Sequence, residues 1–171
     1  MIRYRSSGEV SLHADIPEGA RNWRNHPDIR RWCRQNSVIS RVEHEDWLHR
    51  QHEDPAIKMF GIWKEAQPAG VCGFTSIDRL NRHAEFSLYI RPDFKGLGTG
   101  TLALRALCTH GFRDWGFNRI WGEVFDGNPA LKTFLDVGFH QEGLLRDAYF
   151  RGGKFIDAHR IAVLAEDWKC S

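Results

Sequence analysis

The sequence predicts one α/β (α+β) domain over residues 1–171: a mixed, mostly antiparallel sheet with helices on both faces. Three observations carry this. Runs with period-two alternation of apolar and polar residues recur along the chain, several separated by hairpin-length turns. One such run passes through a glycine-rich turn directly into an amphipathic helix, EFSLYIRPDFKGLGTGTL. The length of 171 residues with 42% hydrophobic content is enough for one well-packed core and too short for two comfortable ones.

The elements follow in order. Val10, Leu12, Ala14 and Ile16 alternate with polar residues and predict a first strand ending at Pro17. Proline is suited to a first helical turn, so a helix is predicted over 17–25, with a second short one over 29–34. Ser40-Arg41-Val42-Glu43 is a capping box, in which serine and glutamate each satisfy a backbone N–H of the other, and predicts a helix to about His52. Residues 58–64 and 70–77 read as a hairpin joined through Ala66-Gln67-Pro68, and 84–91 as the next antiparallel strand. In the helix after the glycine turn, Leu104, Leu107, Cys108, Gly111 and Phe112 share one face. A strand over 119–125 is broken by Asp126-Gly127-Asn128-Pro129. A helix over 130–137 then ends at Gly138, where a positive φ is needed. Strands over 141–150 and 155–166 pair through Arg151-Gly152-Gly153.

Bulk properties exclude several classes. A net charge of +2 is no polybasic signature, so no nucleic-acid partner is expected. Every apolar stretch is interrupted by charge, so no membrane segment is expected. Cys33, Cys72, Cys108 and Cys170 are widely spaced with no C-x-x-C pair, which predicts reduced thiols and a cytoplasmic protein. His49, His52 and Glu53 lack a further ligand in the pattern, and no metal is expected. A homodimer is kept open.

Function begins at the glycine turn. Gly96, Gly98 and Gly100 lack side chains where the backbone bends, and the first N–H groups of the following helix have no intrahelical partners. With the helix dipole, they form a site for an anion, here a pyrophosphate. A tight turn without a ligand would use the same glycines. The Walker lysine is missing after Gly100, and G-x-G-x-G is not the dinucleotide spacing. Lys95-Gly96-Leu97-Gly98-Thr99-Gly100 resembles the acyl-CoA loop of the GNAT N-acetyltransferases, [QR]-x-x-G-x-[GA], with Lys95 in place of Gln or Arg. NPALKTFLDVGF is similar to that family's second signature, with Asn128 one place late and Phe134 where many members carry tyrosine. The ending EGLLRDAYFRGGKFIDAHRIAVLAEDW resembles the C-terminal hairpin of the N-acetyltransferases of ribosomal-protein N-termini and of their amino-sugar relatives. NWRNHPDIRRW and VISRVEHEDWL resemble those of pseudaminic acid biosynthesis, whose acceptor is a UDP-linked amino sugar.

The resemblance implies a GNAT fold and acetyl-CoA as acyl donor. It places the donor against the backbone edge of Leu88, Tyr89 and Ile90, against Lys95, Gly96, Leu97, Gly98, Thr99, Gly100 and Thr101, and near Asn128 and Phe134. Direct acetylation needs a base for the ammonium. Glu85 is the first candidate, with Ser87 on the same strand face to orient the amine or relay through water; a solvated or arginine-paired Glu85 is the plain alternative. Phe134 cannot donate a proton to the leaving thiolate, which leaves Tyr149 and Asn128. Arg21, Arg24, Arg30, Arg31 and Arg34 crowd a stretch in which Asp28 is the only acid. Either this is a solvated helical face or Trp23, Arg24, Asn25, Arg30 and Arg31, with His159 from the last strand, contact a phosphorylated amine acceptor. Acetylation of a protein N-terminus or lysine, and a non-catalytic acyl-CoA sensor, are the rival readings.

Overall fold

The computed structural model describes residues 10–168, so Cys170 lies outside the described residues. Among these residues, five α-helices, α1 (Ala20–Asn25), α2 (Pro27–Arg30), α3 (Arg41–Glu53), α4 (Thr99–Arg113) and α5 (Ala130–Val137), accompany seven strands. These are β1 (Val10–His13), β2 (Lys58–Lys64), β3 (Gln67–Asp78), β4 (His83–Ile90), β5 (Arg119–Phe125), β6 (His140–Arg151) and β7 (Lys154–Leu164). They form one sheet in the order β1-β2-β3-β4-β5-β7-β6. Every pairing is antiparallel except β4 with β5, whose connection runs through α4.

Period-two alternation on the central strands divides the core between two faces. Phe86, Leu88 and Ile90 of β4 turn to the face covered by α4 and α5, with Leu104 and Leu107 fully buried there and Leu131 and Phe134 packed against them. Burying a leucine of that kind stabilises by roughly 1.5–3 kcal/mol. Tyr89 turns to the opposite face, where Met59 and Val71 meet Ala20, Trp23 and Trp47 from α1 and α3. Helices therefore cover both faces, as the sequence pattern predicts.

Element ends differ from the predicted ones for local reasons. β1 stops at His13 rather than reaching Ile16, because the chain at Asp15 and Pro17 crosses over Gly61. A Cβ on Gly61 would lie 2.5 Å from the Asp15 carbonyl oxygen. α1 starts at Ala20, one turn after Pro17, whose carbonyl accepts from Ala20 N–H at 2.9 Å. α2 is four residues over Pro27–Arg30, with Pro27 in its first turn, and not the predicted 29–34. Beyond it, single turns (Trp32 N–H to Ile29 O and Cys33 N–H to Arg30 O, both 3.0 Å) carry the chain on. The hairpin turn is Glu65-Ala66, both at positive φ, and Gln67 and Pro68 belong to β3. A bulge at Ile62/Trp63 accommodates that proline, which has no N–H for the ladder. β7 ends at Leu164, two residues short of 166. The capping box of α3 is formed in full by Ser40 and Glu43. Cys33, Cys72 and Cys108 are free thiols, and burial pushes Cys72 and Cys108 well up from the usual thiol range. Among the described residues, no helix is long and apolar enough to cross a membrane.

Candidate active site

The site is opened by a break in the sheet. The parallel ladder between β4 and β5 runs only from His83↔Arg119 to Glu85↔Trp121, so beyond Glu85 one backbone edge of β4 has no strand partner among the described residues. Phe86 fills the crotch on the core side. Its ring packs on Phe134 and Phe139 at 5.1 and 5.0 Å and lies over Gly122, where a Cβ would come within 2.5 Å of it. Two diverging strands and a helix start thus border one cavity of about 1250 Å³.

At one end of the cavity is the glycine turn. Pro92–Phe94 form one 3-10 turn, and Gly96 and Gly98 then take positive φ values of +78° and +73°. Gly98 caps α4, and the first bond of that helix is Leu102 N–H to Gly98 O at 3.1 Å. The N–H groups of Thr99, Gly100 and Thr101 precede that bond and have no intrahelical acceptor. Both glycines line the cavity, and a Cβ at Gly96 or Gly98 would meet no atom of the described residues within 4 Å. The chemistry and the shape fit a pyrophosphate. Leu88, Tyr89, Ile90, Lys95, Gly96, Gly98, Gly100, Thr101, Asn128 and Phe134 all line the cavity. Leu97 and Thr99 do not: the Leu97 side chain points to solvent, and Thr99 is turned into the protein with 1% exposure. The Tyr89 hydroxyl donates to Ala20 O at 3.4 Å, and burial raises its pKa, so it stays a neutral phenol.

At the other end, a row of polar side chains crosses one face of the sheet. Glu85 on β4 and Glu123 on β5 are both nearly buried and both line the cavity. Arg34, from the turns after α2, grips Glu85 through two guanidinium nitrogens, one at 3.1 Å from Oε2, and reaches Glu123 at 3.4 Å. Thr75 donates to Glu85 at 3.4 Å, Arg160 to Glu123 at 2.6 Å, and the Tyr149 hydroxyl to Glu123. Burial alone would lower the Arg34 pKa, but the bond and charge of Glu85, with Tyr149 and Glu123, raise it, so its charge is permanent. Burial and the Glu123 carboxylate together hold the Tyr149 phenol above its ordinary range. Arg34 is itself held from behind. The Arg151 guanidinium, at the tip of the β6–β7 hairpin, donates to the carbonyls of Cys33 (2.6 Å) and Arg34.

The sequence-predicted catalytic residues are brought together in part. Glu85, Ser87 and Asn128 line the cavity, and Tyr149 stands behind it, bonded to Glu123. Asn128 Oδ1 accepts from Ala130 N–H at 3.0 Å, which leaves its amide nitrogen as the donor. Of the six residues predicted for the acceptor, only Arg24 is on the cavity wall. Trp23 packs with the α1–α3 core, and Asn25 uses both ends of its amide on the Ile39 backbone, at 2.8 and 2.9 Å. Arg31 pairs with Asp28 on the exterior, and His159 bonds Asp126 at 2.9 Å. Arg30 is also off the wall. The wall is made instead by Trp32, Arg34 and Arg50, with the stacked pair His44 and Trp47.

Glu123 and Arg160 were missed in the sequence, where Glu123 is one charge inside RIWGEVF. The available signal was its alternation with Ile120, Gly122 and Val124, which puts Glu123 on the face of Glu85 once the two strands are known to be neighbours.

Comparison with known proteins identifies the family and the fold. The family model described as acetyltransferase (GNAT) domain matches residues 10–139. Acetyltransferase PseH of Campylobacter jejuni is 32% identical over 118 residues, which is 68% of this chain and 72% of that protein. Putative ribosomal N-acetyltransferase YdaF of Bacillus subtilis is 29% identical over 125 residues, 72% of this chain and 68% of that one. In fold, the chain matches the crystal structure of spermidine N-acetyltransferase from Vibrio cholerae in complex with CoA and spermine. The TM-score is 0.87 at 22% identity, over 93% of this chain and 97% of that one.

Proposed function

The chain belongs to the GNAT acetyltransferase family, and from that premise we propose that it transfers acetyl from acetyl-CoA directly to a primary amine of a small phosphorylated molecule, most sharply a nucleotide-linked amino sugar. One observation carries the reading: the bare start of α4, the unpartnered edge of β4 and the Glu85–Glu123 end open on the same cavity. Acetyl-CoA, when bound, supplies an activated thioester. Gly96, Gly98, Gly100 and Thr101 hold its pyrophosphate through backbone N–H groups, with the Lys95 cation beside them. The β4 edge at Leu88, Tyr89 and Ile90 aligns the pantetheine arm, and an N–H there polarises the thioester carbonyl.

Glu85 is the base we assign, with Ser87 two residues on along the same face to orient the amine. Each carboxylate oxygen has two lone-pair positions, and among the described residues Oε1 of Glu85 accepts from Arg34 alone, so it keeps a position for the proton while the ion pair holds. Tyr149 stays a phenol and holds Glu123 in place, and Asn128 offers its amide nitrogen as a donor on the cavity wall. Water suffices to protonate a departing thiolate with an ordinary pKa of about 8.5. Arg24, Arg50, Trp32 and Trp47 on the wall support an acceptor that carries phosphate and a flat ring.

The test is calorimetric titration with acetyl-CoA followed by thiol release with a UDP-4-amino sugar and, separately, with a basic peptide. Binding with turnover on the sugar is the expected result. Turnover on the peptide alone makes this a protein acetyltransferase, and absence of acetyl-CoA binding refutes the reading at its first step.

A further inference from the structure

The two buried carboxylates at the acceptor end arrive already neutralised by the protein's own cations. Glu85 is held by Arg34 and Glu123 by Arg160, with Arg34 spanning both. The charges of Glu85, Glu123, Arg34 and Arg160 sum to zero. Arg160 is itself fixed, its guanidinium 4.2 Å from the centroid of the Trp121 ring. Arg34 is different: it comes from irregular backbone, lines the cavity with 47% of its side chain exposed, and occupies the place beside two carboxylates that an ammonium group would seek. The other wall carboxylates do not make up the deficit. Asp28 pairs with Arg31, Glu43 caps α3, and Asp46 shares the rim with Arg24 and Arg50.

We propose that Arg34 is a specificity-determining residue, a built-in counter-ion that makes this cavity reject polycationic amines and admit a singly charged amine bearing an anionic group. The proposal rests on the acetyl-transfer reading for its purpose but not for its test. A polyamine is held by carboxylates whose charge is not already compensated, and here the two deepest ones are compensated from within. Arg151 is the positioning residue behind it, since its bonds to the Cys33 and Arg34 carbonyls fix where the Arg34 side chain starts. The same cation favours the uncharged form of an acceptor amine placed next to it.

Spermidine, titrated calorimetrically in the presence of saturating CoA, is the probe. Wild type and Arg34→Lys, which keeps the charge, are expected to show no binding at millimolar spermidine. Arg34→Gln, and Arg34→Met run beside it in case the glutamine variant fails to fold, are expected to bind spermidine roughly tenfold or more tightly than wild type, the scale of one unit charge a few ångströms away in a half-exposed site. That gain is expected to fall as salt is raised. Wild type that binds spermidine as tightly as the uncharged variants overturns the proposal, as does a folded uncharged variant that gains nothing. Thiol release separates the two readings. Wild type that acetylates spermidine efficiently overturns the charge filter and leaves acetyl transfer standing. Wild type that acetylates no amine, yet shows the binding contrast, removes only the acetyl-transfer reading.

Discussion

Arg34 and Glu85, 51 residues apart in the chain, form a two-pronged ion pair that joins the turns after α2 to the point where β4 loses its β5 partner. The pair lies on the cavity wall and places a permanent cation beside the carboxylate assigned to remove the acceptor's proton. On the proposed reading, catalysis and substrate charge preference are linked through this one contact, and substitutions around it separate the two.

Glu85→Gln removes the base and leaves Arg34 with Glu123 as its remaining acid. Turnover is expected to fall by roughly 10²–10⁴, the usual contribution of a positioned base. The loss is expected to be greatest at the acidic end of the pH profile, where deprotonating the amine limits the rate. Acetyl-CoA affinity, set at the far end of the cavity, stays as in wild type. A full pH–rate profile checks this, and wild-type rates throughout would move the base to Glu123.

Gly98→Val acts at the other end. Gly98 sits at φ +73°, where an L side chain is strained by about 1–2 kcal/mol. Open space around its Cβ position means that the added side chain meets no described protein atom, so its effect is expected on the ligand assigned to this turn rather than on packing. The variant is expected to fold with slightly reduced stability and to lose acetyl-CoA binding by about 1.5–3 kcal/mol, one charge-assisted hydrogen bond or more. Calorimetry showing undiminished affinity would detach the pyrophosphate from this loop.

Gly122→Ala tests the wedge that keeps β4 and β5 apart. The new Cβ would lie 2.5 Å from the Phe86 ring, which is already boxed in by Phe134 and Phe139. Overpacking of this kind costs about 1–3 kcal/mol, and urea unfolding is the measurement. Unchanged stability would mean that the ring swings aside freely and does not set the splay.

Tyr149 connects the site to alkaline stability. Its pKa is raised above the ordinary value of 10.0, by burial first and the Glu123 bond second. A raised folded-state pKa contributes stability that is whole below the unfolded value and lost as pH rises through the folded one. The melting temperature of wild type is therefore expected to fall more steeply above pH 10 than that of Tyr149→Phe, which has no phenol to titrate. Parallel slopes for the two proteins would show that the Tyr149–Glu123 bond does not contribute.

The sequence by itself determined what is local. The strand-glycine-helix unit around Gly96 and Gly98, the capping box at Ser40 and Glu43, the helix stop at Gly138 and the alternation that divides β4 between two faces each depend on residues a few positions apart. They are legible because φ preferences, caps and side-chain periodicity act over that distance. The donor half of the site is of this kind. Only the tertiary structure decided the acceptor half. The arginine-rich stretch Arg21 to Arg34 looked like one unit in the sequence, yet the short α2 sends Arg31 outward to Asp28 and Arg34 inward to Glu85. Glu123 enters the site because two parallel strands part after Glu85, and Arg151 because a hairpin over 100 residues away folds back onto Arg34. Such partners are set by strand order and by burial that makes each charge find a counter-charge, and neither is encoded in the spacing of neighbouring residues.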